Sequence, residues 1–165
     1  MKTILLILLA TTIVFGQTSL RVGDTAPSFS TNAIDGNLVD LENQKGKVVV
    51  LTFWSTRCEI CRSEIPRLNQ FVEQYKGENV VFVAATTENE ARLMPFFKAN
   101  KFDFQILPDS FGVLLKYADR DRNGNLDMGY PAFFVIDKTG KIGFRASGYD
   151  KTVQIASHLN RLLDQ

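Results

Sequence analysis

Cysteine, histidine and tryptophan are nearly missing: two cysteines, one histidine and one tryptophan occur in 165 residues. Each scarcity removes a class of chemistry. A structural zinc site takes four nitrogen or sulfur ligands and a catalytic one three. Only Cys58, Cys61 and the distant His158 are on offer, so no metal site is expected. A Cys–His protease would have to rely on His158 alone, which reads instead as an ordinary residue of the final helix. Neither sign of charge dominates: 19 Lys and Arg stand against 18 Asp and Glu, a formal net charge of +1. No nucleic acid partner is therefore expected. Internal repeats and low-complexity tracts are also lacking, and no apolar run reaches the ~20 residues that cross a bilayer.

What is present suits one globular domain. The chain is long enough to bury a core without staples, and 45% of it is hydrophobic, with thirteen phenylalanines. The first residues, MKTILLILLATTIVFGQTSL, place Lys2 before an apolar stretch from Ile4 to Phe15, followed by small and polar residues. That order is a secretory signal peptide's. Residues 1–17 are expected to be cleaved near Gly16, leaving 18–165 as the domain in a periplasmic or otherwise extracytoplasmic space. An uncleaved membrane anchor or a buried N-terminal helix is the alternative. No cysteine follows the apolar run, so a lipoprotein is not expected.

Export changes how the cysteines read. Disulfides persist outside the cytoplasm, where most are structural. A staple between Cys58 and Cys61 would close a very small loop, and chain-entropy stabilisation grows with loop length. As a staple it would contribute little.

Periodicity places the pair. After turns and a hairpin signal at Asp35-Gly36-Asn37, Val48 to Trp54 is a continuous apolar run, the pattern of a strand buried on both faces. The period then changes: Ile65, Leu68, Phe71, Val72 and Tyr75 lie on one helical face that stops near Gly77, with Pro66 expected to kink it. Further along, Asn79–Thr87 reads as a strand, 89–100 as a helix and Phe104–Leu107 as a strand. Phe111–Tyr117 follows as a helix, with strands at Ala132–Asp137 and Ile142–Ala146. A closing helix has its face at Val153, Ala156, Leu159 and Leu163. Alternating strands and helices ending in a hairpin predict an α/β sandwich around a central mixed sheet. Cys58 falls where a buried strand becomes a helix. Helix N-termini stabilise thiolates through free N–H groups and the dipole, so Cys58 is the expected nucleophile and Cys61 the resolving thiol.

In combination GDTAPSFS, GKVVVLTFWSTRCEIC, Glu64, Pro66 and YPAFFVIDKTGKI resemble the TlpA/ResA-like thiol:disulfide oxidoreductases of the thioredoxin superfamily, related to AhpC/TSA proteins. The resemblance runs from Val22 to the C-terminus. It implies a thioredoxin fold, with helices on both faces of the sheet and an N-terminal β-hairpin extension. It also implies catalytic roles for Cys58, Cys61 and Glu64, the last relaying protons to the resolving thiol. Trp54 would line the pair. Pro131 would be a cis-proline facing it, and the Tyr130 backbone would be free to pair with substrate. No cofactor beyond the redox-active Cys58–Cys61 disulfide is implied. Protein disulfides would be the substrates, a membrane thiol donor would re-reduce the pair, and a monomer is expected. Clients could be an apocytochrome in cytochrome c maturation, a copper-site protein or a misoxidised envelope protein. Glu59-Ile60 between the cysteines lacks the histidine and proline of strongly oxidising members, which points to a reductase.

Three alternatives accompany this reading. The GDTAPSF start is shared with peroxiredoxin-like thiol peroxidases, but the proline expected before their cysteine is missing. A non-enzymatic exported binding or chaperone domain could use the same scaffold. Lastly, Asp119 to Tyr130 (DRDRNGNLDMGY) resembles a calcium loop at Asp119, Asp121, Asn123, Gly124 and Asp127, with Tyr130 where a glutamate should stand. A polar loop with a turn at Asn123-Gly124, placed to influence substrate choice, is the default.

Overall fold

The computed structural model describes residues 19–165; the leader expected over 1–17 lies outside the described residues. Strands β1 (Ser30–Asn32) and β2 (Leu38–Asp40) pair antiparallel around the Asp35-Gly36-Asn37 turn. There Gly36 takes φ +84° and the Asp35 carboxylate accepts the Asn37 N–H at 3.0 Å.

The apolar run forms β3 (Val48–Phe53), buried throughout, and leads into α1 (Glu59–Gln74). Then follow β4 (Val80–Ala85), α2 (Glu90–Phe97), β5 (Gln105–Leu107) and α3 (Phe111–Tyr117). A small hairpin, β6 (Asp119–Arg120) and β7 (Leu126–Asp127), precedes β8 (Ala132–Ile136), β9 (Ile142–Ser147) and α4 (Thr152–Leu163). Five strands make the central sheet in the order β5-β4-β3-β8-β9. Strands β3, β4 and β5 run parallel, while β8 and β9 are antiparallel to their neighbours.

Two-residue alternation splits β3 between two cores. Val49, Leu51 and Phe53 join Phe29, Val39 and Leu41 from the N-terminal hairpin region and Val113, Leu114 and Tyr117 from α3. Val48 and Val50 meet α1, α2 and α4 on the other face. The expected thioredoxin-like sandwich, with helices on both faces and an N-terminal hairpin, is therefore what the chain adopts.

Local expectations needed adjusting. Helix α1 runs through Pro66 without interruption, the exposed proline giving up only one backbone bond. Helix α2 ends at Phe97, not residue 100, and β5 starts one residue late. The expected face of α4 needs shifting by part of a turn: Leu159 is buried and Ala156 and Leu163 pack against the core, but Val153 is 76% exposed and Ile155 and Leu162 are buried instead. Contact with β3, β8 and β9 sets that rotation.

Candidate active site

Strand β3 ends at Phe53, a turn follows, and Cys58 caps the N-terminus of α1 in an extended conformation. Its Sγ accepts the Cys61 N–H at 3.0 Å. The two cysteines form a disulfide with Cα atoms 5.2 Å apart. Cys58 is half-buried, whereas Cys61 is 2% exposed. A reagent from solvent therefore meets Cys58 first. Once reduced, its thiolate would receive the same N–H and the positive end of the helix dipole.

The register of the sheet brings Pro131 to this end of the molecule. Ala132 pairs with Phe53, the last residue of β3 before the site turn, and Thr52 Oγ1 donates to Ala132 O at 3.1 Å. The Tyr130–Pro131 bond is cis, and the Pro131 carbonyl accepts the Gly148 N–H at 2.8 Å. Tyr130 is half-buried; burial, and then the nearby Glu88 charge, push its hydroxyl pKa up.

Glu64 follows Cys61 by three residues, one turn along α1 on the same face. It is 1% exposed. Its Oε2 accepts the Asp150 N–H at 3.3 Å, while Oε1 lies 3.5 Å from Arg67 Nη1 and has no hydrogen-bond donor among the described residues. A buried carboxylate with a free lone pair one turn from a buried thiol can take up and return that thiol's proton.

Trp54, expected to line the pair, belongs to the same buried core cluster as Cys61, against which Cys58 packs. At 2% exposure its ring packs among Phe96, Phe97 and Phe102, with centroids 5.6, 6.0 and 5.2 Å away. Its Nε1–H has no partner among the described residues.

One site residue escaped the sequence reading. Glu88, in the loop after β4, accepts the Thr56 N–H at 2.7 Å and the Thr56 hydroxyl at 2.6 Å, and pairs with Arg92 Nε at 2.9 Å. Burial opposes its charge, but Thr56's two hydrogen bonds and Arg92 outweigh it and hold the carboxyl below its ordinary range. Glu88 thus clamps the turn two residues before Cys58. Its only sequence signal was a carboxylate straight after a buried strand, a pattern many exposed loops share.

The resemblance of 119–130 to a calcium loop is accounted for by the hairpin itself. Both Asp119 oxygens face Arg145, at 3.2 and 2.6 Å. Asp121 Oδ1 accepts the backbone N–H of Asn123 and Asn125, and Oδ2 takes the Asn125 side-chain amide. The carboxylates close a turn and anchor it to β9.

Residues 22–145 match the family model described as the AhpC/TSA family. The chain belongs to the AhpC/TSA family. The thiol-disulfide oxidoreductase ResA of Bacillus thuringiensis is 28% identical over 147 residues, 88% of this chain and 81% of that protein. The thioredoxin-like protein YneN of Bacillus subtilis is 30% identical, over 76% of this chain and 71% of its own. A Chlorobium tepidum structure provisionally described as the thiol:disulfide interchange protein DsbE superposes with a TM-score of 0.75 at 26% identity, covering 88% of this chain and 99% of that one. The AhpC/TSA chain described here is a TlpA/ResA-like member of the thioredoxin superfamily and a thiol-disulfide oxidoreductase. The non-enzymatic alternative gives way accordingly.

Proposed function

We propose that this oxidoreductase is an extracytoplasmic reductase of protein disulfides. The observation that carries this is the Cys58–Cys61–Glu64 column: an accessible sulfur at a helix N-terminus, a buried partner thiol one turn on, and a buried carboxylate one turn further. In the reduced form the Cys58 thiolate attacks a partner disulfide. The partner's S–S bond breaks, and one of its sulfurs leaves and takes a proton. Cys61 gives its proton to Glu64 and attacks Cys58 Sγ, forming the intrachain disulfide and releasing the second partner thiol. Two electrons pass to the partner.

Two electrons must then return, and a membrane thiol donor is the class of reagent that would supply them. Tyr130 and Pro131 would guide the partner's extended segment past Cys58, with specificity biased by the neighbouring β6–β7 hairpin. Glu59, directly after Cys58, disfavours the thiolate and supports a reductant over an oxidant. Export rests on the N-terminal charge, apolar run and small residues; the working unit is taken as a monomer.

The test is a redox titration of residues 18–165 in glutathione or dithiothreitol buffers, read by thiol-trapping mass spectrometry. A two-electron midpoint near or below about −230 mV is expected; one near about −120 mV would make the protein an oxidant or isomerase. Cys58→Ser should abolish disulfide reduction. Cys61→Ser should instead accumulate the mixed disulfide with the partner.

A further inference from the structure

Two residues that take no part in the thiol chemistry hold Glu64 from outside. Arg67 lies one turn beyond it on α1, three residues on, where side chains are neighbours on the helix surface. Arg67 Nη1 stands 3.5 Å from Glu64 Oε1 and 2.5 Å from Asp150 Oδ1. Its Nη2 donates to the Tyr149 hydroxyl at 3.3 Å, with the guanidinium 5.3 Å over the Tyr149 ring. From the opposite side, the loop joining β9 to α4 brings the Asp150 N–H onto Glu64 Oε2. Asp150 adopts φ +56°, in the left-handed region where a non-glycine residue is uncommon. Such a conformation persists where the surroundings over-determine it; here its amide is spent on Glu64 and its carboxylate on Arg67.

The electrostatics are those of one cation shared between two anions, Glu64 buried and Asp150 half exposed. An opposite charge within about 4–6 Å favours the ionised carboxylate, and a like charge disfavours it. Arg67 brings a positive charge to Glu64, and Asp150 a negative one beside it.

We propose that Arg67 and Asp150 are positioning residues for the resolving step, holding the Glu64 carboxylate where it can take the Cys61 proton. The proposal rests on the Glu64 role put forward above. Neither residue exchanges a proton itself: the proton passes from Cys61 Sγ to Glu64 and then to water. Arg67 and Asp150 touch Glu64, Tyr149 touches Arg67, and Cys61 lies one turn back on the helix, so the measured profile belongs to the coupled set.

The test mixes reduced protein with dithiobis(nitrobenzoate) in stopped flow. One thionitrobenzoate leaves as Cys58 attacks and a second as Cys61 resolves, so the second phase isolates the step. Arg67→Met should move the pH profile of that phase to higher pH by about half to one unit, and Arg67→Lys should restore most of it. Asp150→Asn keeps the amide and tolerates the left-handed backbone, and should move the profile the other way by about a few tenths of a unit. Opposite displacements cannot come from loosened packing. If Glu64→Gln slows the second phase while both neighbours match the wild type, the positioning role is overturned and the Glu64 role stands. If Glu64→Gln leaves the second phase unchanged, both fall. If Arg67→Met slows both phases alike and lowers the unfolding temperature, the proposal stands only when Asp150→Asn still moves its profile to lower pH.

Discussion

The turn carrying Cys58 is fastened by side chains outside the CxxC pair. Thr56 donates twice to Glu88, and Glu88 is steadied by Arg92. A hydrogen bond to a charged group contributes about 1.5–3 kcal/mol, and a buried carboxylate stripped of donors is worse than none. Glu88→Gln keeps the shape and removes the charge, and should lower stability by about 2 kcal/mol near neutral pH. The pH dependence has a definite sign. A carboxyl whose folded-state pKa is depressed stabilises above its unfolded value, 4.5 for a glutamate, and loses that contribution as pH falls through the lower folded value. Urea unfolding of both proteins should therefore show a gap that is full near neutrality and closes as pH falls through the depressed value. A gap independent of pH would show that the charge of Glu88 is not what holds Thr56.

At the scale of elements, the insert before Pro131 is a built hairpin. Strands β6 and β7 are two residues each, too short to be stable alone. Leu126 packs against the core, and a polar hold on the body comes from Arg145 of β9, whose guanidinium takes both Asp119 oxygens, donates to Leu20 O at 2.5 Å and lies 5.3 Å from the centre of the Phe134 ring. A paired fork over an aromatic face is stronger than a single exposed ion pair. Arg145→Met is expected to cost about 1 kcal/mol overall. Its larger effect should be local: amides across 119–127 should exchange with deuterium faster, while those of β3 keep their protection. Unchanged exchange in the hairpin would mean that its own turn, closed by Asp121, suffices to order it.

At the scale of the whole molecule, β3 is the shared wall of two cores, and the site turn is its continuation. Leu51 is fully buried in the core that includes Phe29, Val83 and Phe134. Leu51→Ala should destabilise the domain by about 2–5 kcal/mol in urea unfolding, through lost burial and the cavity left behind. A loss under about 1 kcal/mol would mean that the N-terminal hairpin collapses onto the gap.

The sequence by itself determined the α/β class, the buried strand running into a helix, and the nucleophile and resolving roles expected of Cys58 and Cys61. These follow from local signals: a β-branched apolar run, a change of period and two cysteines at helical spacing; the weight placed on Pro131 came from the family resemblance. It found most of the core face of α4 but placed Val153 there in place of Ile155 and Leu162, because helical spacing fixes the face only to within part of a turn and packing against β3, β8 and β9 sets the rotation. Nor could it show Trp54 turned inward among phenylalanines distant in sequence, or Glu88 reaching back to Thr56. The same holds for Asp150 reaching Glu64 across 86 residues. Hydrogen bonds and ion pairs between distant segments leave no periodic trace, since each needs only one polar residue in a loop. Tertiary structure alone decides where such a residue points.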